Sequence, residues 1–463
     1  MVGWESRTAA KCMTIAEQSA TLQQGGARGT GPLRRTVLFV AIALVVGGVV
    51  GRFVFLSSSE TSVATGTASG SGDELAAAQA SLAVDPKDPA RLTRVTLAAL
   101  AEARRTADPA LYAQAAESSR KALKLAPDDI RTLVPAGLLA LAQHDFTGAL
   151  DLARRARELA PLAVDPLAVE IDALVELGRY DEALTQADLM VSRRPNLSSL
   201  PRLSYILELR GDPEGALETM QQAVAAGGDR ADGAYIVSLL GDIHVQAGRL
   251  DAAAGAYERA LAIQPGQAQS EFGLARVEAY RGDLPAASAR LAKLTERIPL
   301  PDAVALYADV LAAADDDTGA AEQRSLVRAI EELNRTQGGI SVDLELAKFE
   351  ASHARLADGD PAKAVTLAES ARVGRPTIFG DDTLGWALRQ AGRPVDALAH
   401  ALAATRLGTA DAALWWHLAA IEADLGMTAE ARVHLERSRS ISRHLPLNEQ
   451  AEADALAVTL GLP

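Results

Sequence analysis

The sequence predicts an all-α chain in which one apolar N-terminal segment precedes a long array of repeated helix hairpins. Three observations carry this. Alanine, leucine and valine dominate a 48% hydrophobic content while aromatic residues stay at 4%, a composition that favours helices packed closely through small side chains. Hardly any stretch alternates apolar and polar residues with the period of two that a strand needs. A pattern of glycine, amphipathic run and proline also returns about every 34 residues along the 463-residue chain.

Taken in order, residues 1–35 carry five basic and two acidic side chains and are expected to be a disordered cytoplasmic tail. Val37 to Gly51 is an unbroken apolar run that continues past Arg52 to Leu56. Twenty residues of helix span about 30 Å, the thickness of a hydrocarbon core. Residues 36–56 are therefore expected to be a transmembrane signal anchor. Arg34 and Arg35 flank its near end, and no Lys or Arg occurs from Phe53 to Pro86. The positive-inside rule then puts the N-terminus in the cytoplasm and the remainder outside, across the cell inner membrane. The alternative is a cleaved signal peptide, with Ser62-Val63-Ala64 as the processing site. Met13 offers a second possible start. Ala43, Gly47 and Gly51 recur every fourth residue, a small-residue face through which two such helices could dimerise. Residues 57–72 are Gly/Ser/Thr-rich and read as a flexible tether.

The repeat begins after the tether. "GRLDAAAGAYERALAIQP", Gly248 to Pro265, has relatives at Gly178, Gly282 and Gly359, and more divergent ones at His144, Gly211, Gly392 and Gly426. Successive steps are 34, 33, 37, 34, 77, 33 and 34, and the long one accommodates two units, one of them degenerate around "AAADDDTGAA". Within a unit, Gly248 suits a left-handed helix stop. Pro213, Pro285, Pro361 and Pro394 fall in the first turn of the second helix, where a missing N–H costs nothing. Ala253, Tyr257 and Ala260 share one face of that helix, and Pro265 ends it. A hairpin this small buries its apolar face only against a neighbour, which is why the unit recurs.

The stretch "LLGDIHVQAGRLDAAAGAYERALAIQP" resembles the tetratricopeptide repeat. Leu240 and Gly241 match its Leu-Gly pair, Gly248 its turn, and Ala253, Tyr257, Ala260 and Pro265 its remaining signature positions. The resemblance covers residues 73–446 and implies a right-handed superhelical solenoid of about ten hairpins, closed by a capping helix over 447–463. Within the family, the chain is similar to bacterial membrane-anchored arrays. The fold implies a scaffold for proteins and peptides, with ligands against the first helix of each unit. Counting back from the turn glycines puts Tyr205, Asp242, Phe272 and Arg276 on that face, then Phe349, His353, Phe379, Trp386, Arg389 and Trp416. Aromatic and Arg side chains are the usual hot spots of binding. A second reading has Phe349 and Trp416 filling gaps that Ala-rich packing leaves open. The family's chaperone-tail clamp needs Lys and Asn where this chain has Ser238 and Asp242, or Asp382 and Trp386, which argues against an import or chaperone co-receptor.

Little else in the sequence points to chemistry. The seven histidines never pair at metal-binding spacing, and no nucleophile elbow, P-loop or dinucleotide fingerprint is present. Asp315-Asp316-Asp317 lacks a calcium ligand ladder and reads as a helix-capping turn. From residue 53 onward, 40 basic face 58 acidic side chains, a balance that repels nucleic acid. The only cysteine, Cys12, lies before the apolar segment, so the repeat region has no disulfide or thiolate metal site. The expectation is a non-catalytic, cofactor-free adaptor for protein or peptide partners outside the cytoplasm, in envelope assembly, secretion or protein maturation. A soluble secreted binding protein is the alternative.

Overall fold

The computed structural model describes residues 71–106, 108–227, 231–338 and 344–462. The expected tail, anchor and most of the tether, with Ala43, Gly47, Gly51 and Cys12, lie outside the described residues. Among the described residues every regular element is a helix, twenty-two in all, and none is long and apolar enough to cross a membrane.

Helix α1 (Ser71–Val84) packs on the first helix of the array, and ten antiparallel hairpins follow it. Units 1 to 3 are α2 (Pro89–Thr106) with α3 (Ala110–Leu125), α4 (Ile130–Ala142) with α5 (Phe146–Leu159), and α6 (Asp165–Glu176) with α7 (Tyr180–Arg193). Units 4 to 6 are α8 (Leu200–Leu209) with α9 (Pro213–Gly227), α10 (Ala231–Gln246) with α11 (Leu250–Ile263), and α12 (Ala268–Tyr280) with α13 (Leu284–Arg297). Units 7 and 8 are α14 (Pro301–Ala313) with α15 (Asp317–Gln337) and α16 (Leu344–Ser352) with α17 (Pro361–Gly374). Units 9 and 10 are α18 (Ile378–Gln390) with α19 (Pro394–Ala404) and α20 (Ala412–Asp424) with α21 (Thr428–Ile441). Helix α22 (Leu447–Thr459) closes the array. The fold is an all-α solenoid.

The turns explain the repeat. Gly178 has φ +67°, so only a residue without a Cβ sits there unstrained. In units 2 and 7 the same position holds His144 (φ +61°) and Asp315 (φ +63°), polar residues that tolerate this conformation better than most. Asp315 thus marks the degenerate unit within the step of 77. Its neighbour Asp316 caps α15 by accepting from the Gly319 amide, so the triple aspartate is a capping turn. The extra residues of that step lengthen α15 to 21 residues. Unit 8 departs differently: α16 stops at Ser352, and Gly359 has no left-handed φ but lies where a Cβ would be 2.2 Å from the His353 carbonyl oxygen.

First helices form the inner layer. Every residue of α6 from Pro166 to Glu176 is buried, whereas its partner α7 buries only Tyr180, Ala183, Ala187 and Met190. Tyr257 shows why the Leu-Gly pair is needed: its ring is fully buried beneath Gly241 and Gly273, where a Cβ would fall 2.5 and 2.3 Å from ring carbons.

The solenoid also closes on itself. The turn edges of units 2 to 5 meet linkers between 165 and 200 residues further along. Gln143 Nε2 donates to the Gly338 carbonyl at 3.4 Å, and the Ile378 amide donates to Tyr180 Oη at 3.0 Å. Thr409 Oγ1 donates to the Leu209 carbonyl, and Gln246 Nε2 donates to Asp411 at 3.2 Å. Arg375 Nε reaches Glu176 at 2.8 Å in a pair that is almost wholly buried. Backbones approach as closely as side chains: a Cβ on Gly178 would be 2.4 Å from the Pro376 oxygen. Successive superhelical turns are thus stacked edge on edge along a seam.

Candidate partner-binding face

The inner face is built from side chains one repeat apart. Residues at equivalent positions of adjacent first helices are neighbours, so charges of opposite sign placed 30 to 35 residues apart meet. Arg202 on α8 clasps Asp172 on α6 through Nε and Nη2, both at 2.8 Å, with neither side chain more than 2% exposed. Arg276 on α12 reaches Asp242 on α10 at 2.7 Å, and Tyr257 donates to the same carboxylate at 2.7 Å. Burial, then the Asp242 charge, pushes the Tyr257 hydroxyl far up, so it stays a donor. The half-buried Phe272 lies under the Arg276 guanidinium, 5.7 Å from ring centre to Cζ. Tyr205 is buried on α8.

In unit 8, the rings of Phe349 and His353 lie 4.4 Å apart, with Arg328 over Phe349 at 5.5 Å. His353 bonds the Phe349 carbonyl at 2.7 Å and Asp309 on α14 at 2.9 Å. Burial works against the charge on His353, but Asp309 outweighs it and raises the imidazole above its ordinary value.

Units 9 and 10 hold the densest cluster. Trp386 on α18 stacks on His417 on α20 at 4.0 Å and meets Trp416 edge-on at 6.1 Å. His417 bonds Asp382 at 2.8 Å and Glu449 at 2.9 Å, and Trp416 Nε1 donates to Glu449 at 3.1 Å. Burial alone would push His417 down, but the two carboxylates lift it to about 10, so it is an imidazolium at neutral pH. Arg389 sits 4.8 Å over Trp386 and pairs with Asp424 at 2.8 Å and Glu452 at 2.6 Å. Phe379 is half-buried where two apolar clusters meet. Glu449 and Glu452 belong to α22, which therefore lies against the inner faces of the last units.

The structure therefore brings eight of the ten predicted face residues into three groups, and Tyr205 and Phe379 lie outside them. Trp386, Trp416 and Phe349 fill spaces between helices and are buried. Sequence reasoning passed over the positions that solvent still reaches on this face. Lys348 on α16 and Asp302 on α14 are exposed, and Tyr280 and Asp411 are partly so. The surrounding protein disfavours a charge on Lys348, yet Asp411, Asp382, Asp302 and Glu449 outweigh this and hold its ammonium above the usual value. The Asp302 carboxyl is raised, by its surroundings first and then by Glu345. Among the described residues no group of three His, Cys, Asp or Glu is placed to hold a metal ion.

The family model of the tetratricopeptide repeat matches residues 134–197 and 207–268. No curated protein matches the sequence. Among solved structures, a thermophilic TPR protein of Thermus thermophilus is 21% identical at TM-score 0.38, covering 42% of this chain and 100% of that one. The human IFIT1 dimer with PPP-AAAA is 16% identical at TM-score 0.46, covering 69% and 73% respectively. Yeast Tom70 is 13% identical at TM-score 0.36, covering 84% and 92%. The matched residues fall on units 2 to 5, which are tetratricopeptide repeats by this match, and the hairpins on either side repeat their helix–turn–helix plan.

Proposed function

We propose that this chain is a non-catalytic scaffold that binds segments of partner proteins on its first-helix face. Residues 36–56 anchor it in the inner membrane, and the repeats stand outside the cytoplasm in envelope assembly, secretion or protein maturation. One observation carries the binding role: the exposed Asp302 and Lys348, with the partly exposed Tyr280 and Asp411, on a face where many charges pair with one another. Carboxylates outnumber cations there, so the complementary partner is a basic or apolar segment rather than an acidic tail. The apolar run 37–56 with Arg34 and Arg35 at one end supports the anchor and its direction.

Crosslinking pull-down of the full chain tests the binding role, with Lys348→Glu and Asp302→Lys as variants. Both are exposed, so they change the charge of the face while leaving its packing intact. Altered recovery of the same partners in both is expected; unchanged recovery of every partner refutes a role for this face. Retention in the membrane after carbonate extraction supports the anchor, and release points to the cleaved, soluble form. Reporter fusions at residues 30 and 70 test direction: a periplasm-dependent reporter active at 30 but silent at 70 reverses it.

A further inference from the structure

We infer that the two open rims of the solenoid form a head-to-tail docking surface for a second copy of this chain. The seam that seals one superhelical turn onto the next is a contact between two recurring features, a turn glycine and a linker. Gly178 faces Pro376, Gly211 faces Gly408, and Gly248 faces Ser442. The contact buries the linker residues: Thr377 is 4% exposed and Thr409 1%. The residue two places before each turn fastens it, as Glu176, Leu209 and Gln246 do.

The chain spends only one edge of each half in this way. The turns of units 9 and 10 have nothing within 4 Å of where a Cβ on Gly392 or Gly426 would stand, among the described residues. At the opposite rim the early linkers repeat the proline of the sealed one: Pro127, Pro161 and Pro195 stand where Pro376 stands in linker 8–9. Leu162 follows Pro161 as Thr377 follows Pro376, but it is 84% exposed. Val84, Leu125 and Leu159, at the linker ends of the same rim, are 78%, 48% and 50% exposed. Leu162, an apolar side chain at the position that the seam buries as Thr377 in the later linker, marks this rim as an interface. The upper rim of one copy therefore offers the lower rim of the next the contact that units 3 to 5 already make within the chain. Because the two surfaces differ, the interface is heterologous, and it extends into open stacks rather than closing as a dimer.

Sedimentation velocity of the full-length protein in dodecyl maltoside tests this, the detergent keeping the apolar segment dispersed. Two variants each disable one rim. Leu162→Asp puts a charge in the lower contact, and Gln390→Trp crowds the upper one at the position before the turn, where unit 6 already carries Tyr280. Native protein is expected to show a mass that climbs with concentration beyond the dimer. Each variant alone should sediment as a monomer, and an equal mixture should form dimers and stop there, since one intact rim of each kind remains. Circular dichroism checks that both variants fold; if Gln390→Trp does not, Met427→Arg replaces it. Native protein that stays monomeric at the highest concentration overturns the inference. So does an oligomer that neither variant disturbs, which assigns assembly to the apolar segment instead.

Discussion

The seam predicts that two chemically identical substitutions will have different effects. Gly211 and Gly392 occupy the same turn position with nearly the same backbone, φ +76° and +74°. Alanine at either must adopt the left-handed conformation, at a cost of about 1–2 kcal/mol. They differ in what the new methyl meets. At Gly392 it meets nothing within 4 Å among the described residues, whereas at Gly211 it falls 2.6 Å from the Gly408 oxygen and 3.0 Å from its carbon. Such overlap forces the two edges apart, at about 1–3 kcal/mol for a crowded methyl. Parting them also strains the bond from Thr409 Oγ1 to the Leu209 carbonyl, worth about 1 kcal/mol. Gly211→Ala is thus expected to cost about 2–4 kcal/mol more than Gly392→Ala.

Because a solenoid unfolds in segments, the assay must locate the loss rather than read one midpoint. Hydrogen exchange followed by mass spectrometry, at dilution, does so. In Gly392→Ala, exchange should quicken only around residues 388–397. In Gly211→Ala it should quicken around its own turn and also over the linker 405–411, some two hundred residues away. If both variants lose the same stability and the linker keeps its native protection, the turns are not sealed in solution and the reasoning fails.

Three further outcomes follow from the buried charges. Asp172→Ala leaves Arg202 buried without its carboxylate and should cost about 3–5 kcal/mol, read as loss of exchange protection over α6 and α8. His417, lifted to about 10, binds its proton more tightly folded than unfolded. Its contribution is complete below about pH 6.5 and disappears as pH rises through 10, so its ring resonances should stay at the imidazolium position at pH 8 and α22 should loosen above pH 10. His144 is the opposite case: burial, then the charge of Arg375, depresses it to about 4. Its contribution is complete above pH 6.5 and is lost as pH falls through 4, and His144→Asn should flatten that acid limb in thermal unfolding.

Local rules made most of the fold legible. The turn glycines, first-turn prolines and 34-residue step delivered the hairpins, and the step of 77 located the unit whose glycine is replaced by Asp315. Two features stayed hidden, for different reasons. The seam depends on superhelical pitch, which accumulates from small rotations at every unit, and no single residue encodes it. Glycine and proline are already required at those positions by the backbone, so their second use leaves no separate mark.

The inner face was open to a better reading. Asp242 and Arg276 fall on the first helix at the positions where a ligand is expected. They are also opposite charges 34 residues apart, and in a solenoid one repeat of sequence separation is physical adjacency. Such a pair neutralises itself unless something intervenes, as the 2.7 Å contact records. Arg389 with Asp424 and Asp382 with His417 repeat the relation at a spacing of 35. A residue is free to meet a partner when its equivalents one unit away cannot satisfy it. Lys348 meets that condition: across the lengthened unit 7 one repeat is 44 residues, the spacing of His353 and Asp309, so its neighbours one unit away are Val304 and Asp382, and that single carboxylate already serves His417. The ammonium is consequently held by a diffuse field of Asp411, Asp382, Asp302 and Glu449 rather than by one bond. Partner recognition in this chain is therefore sought at the rungs where repeat-spaced complementarity breaks, and residue type alone does not find them.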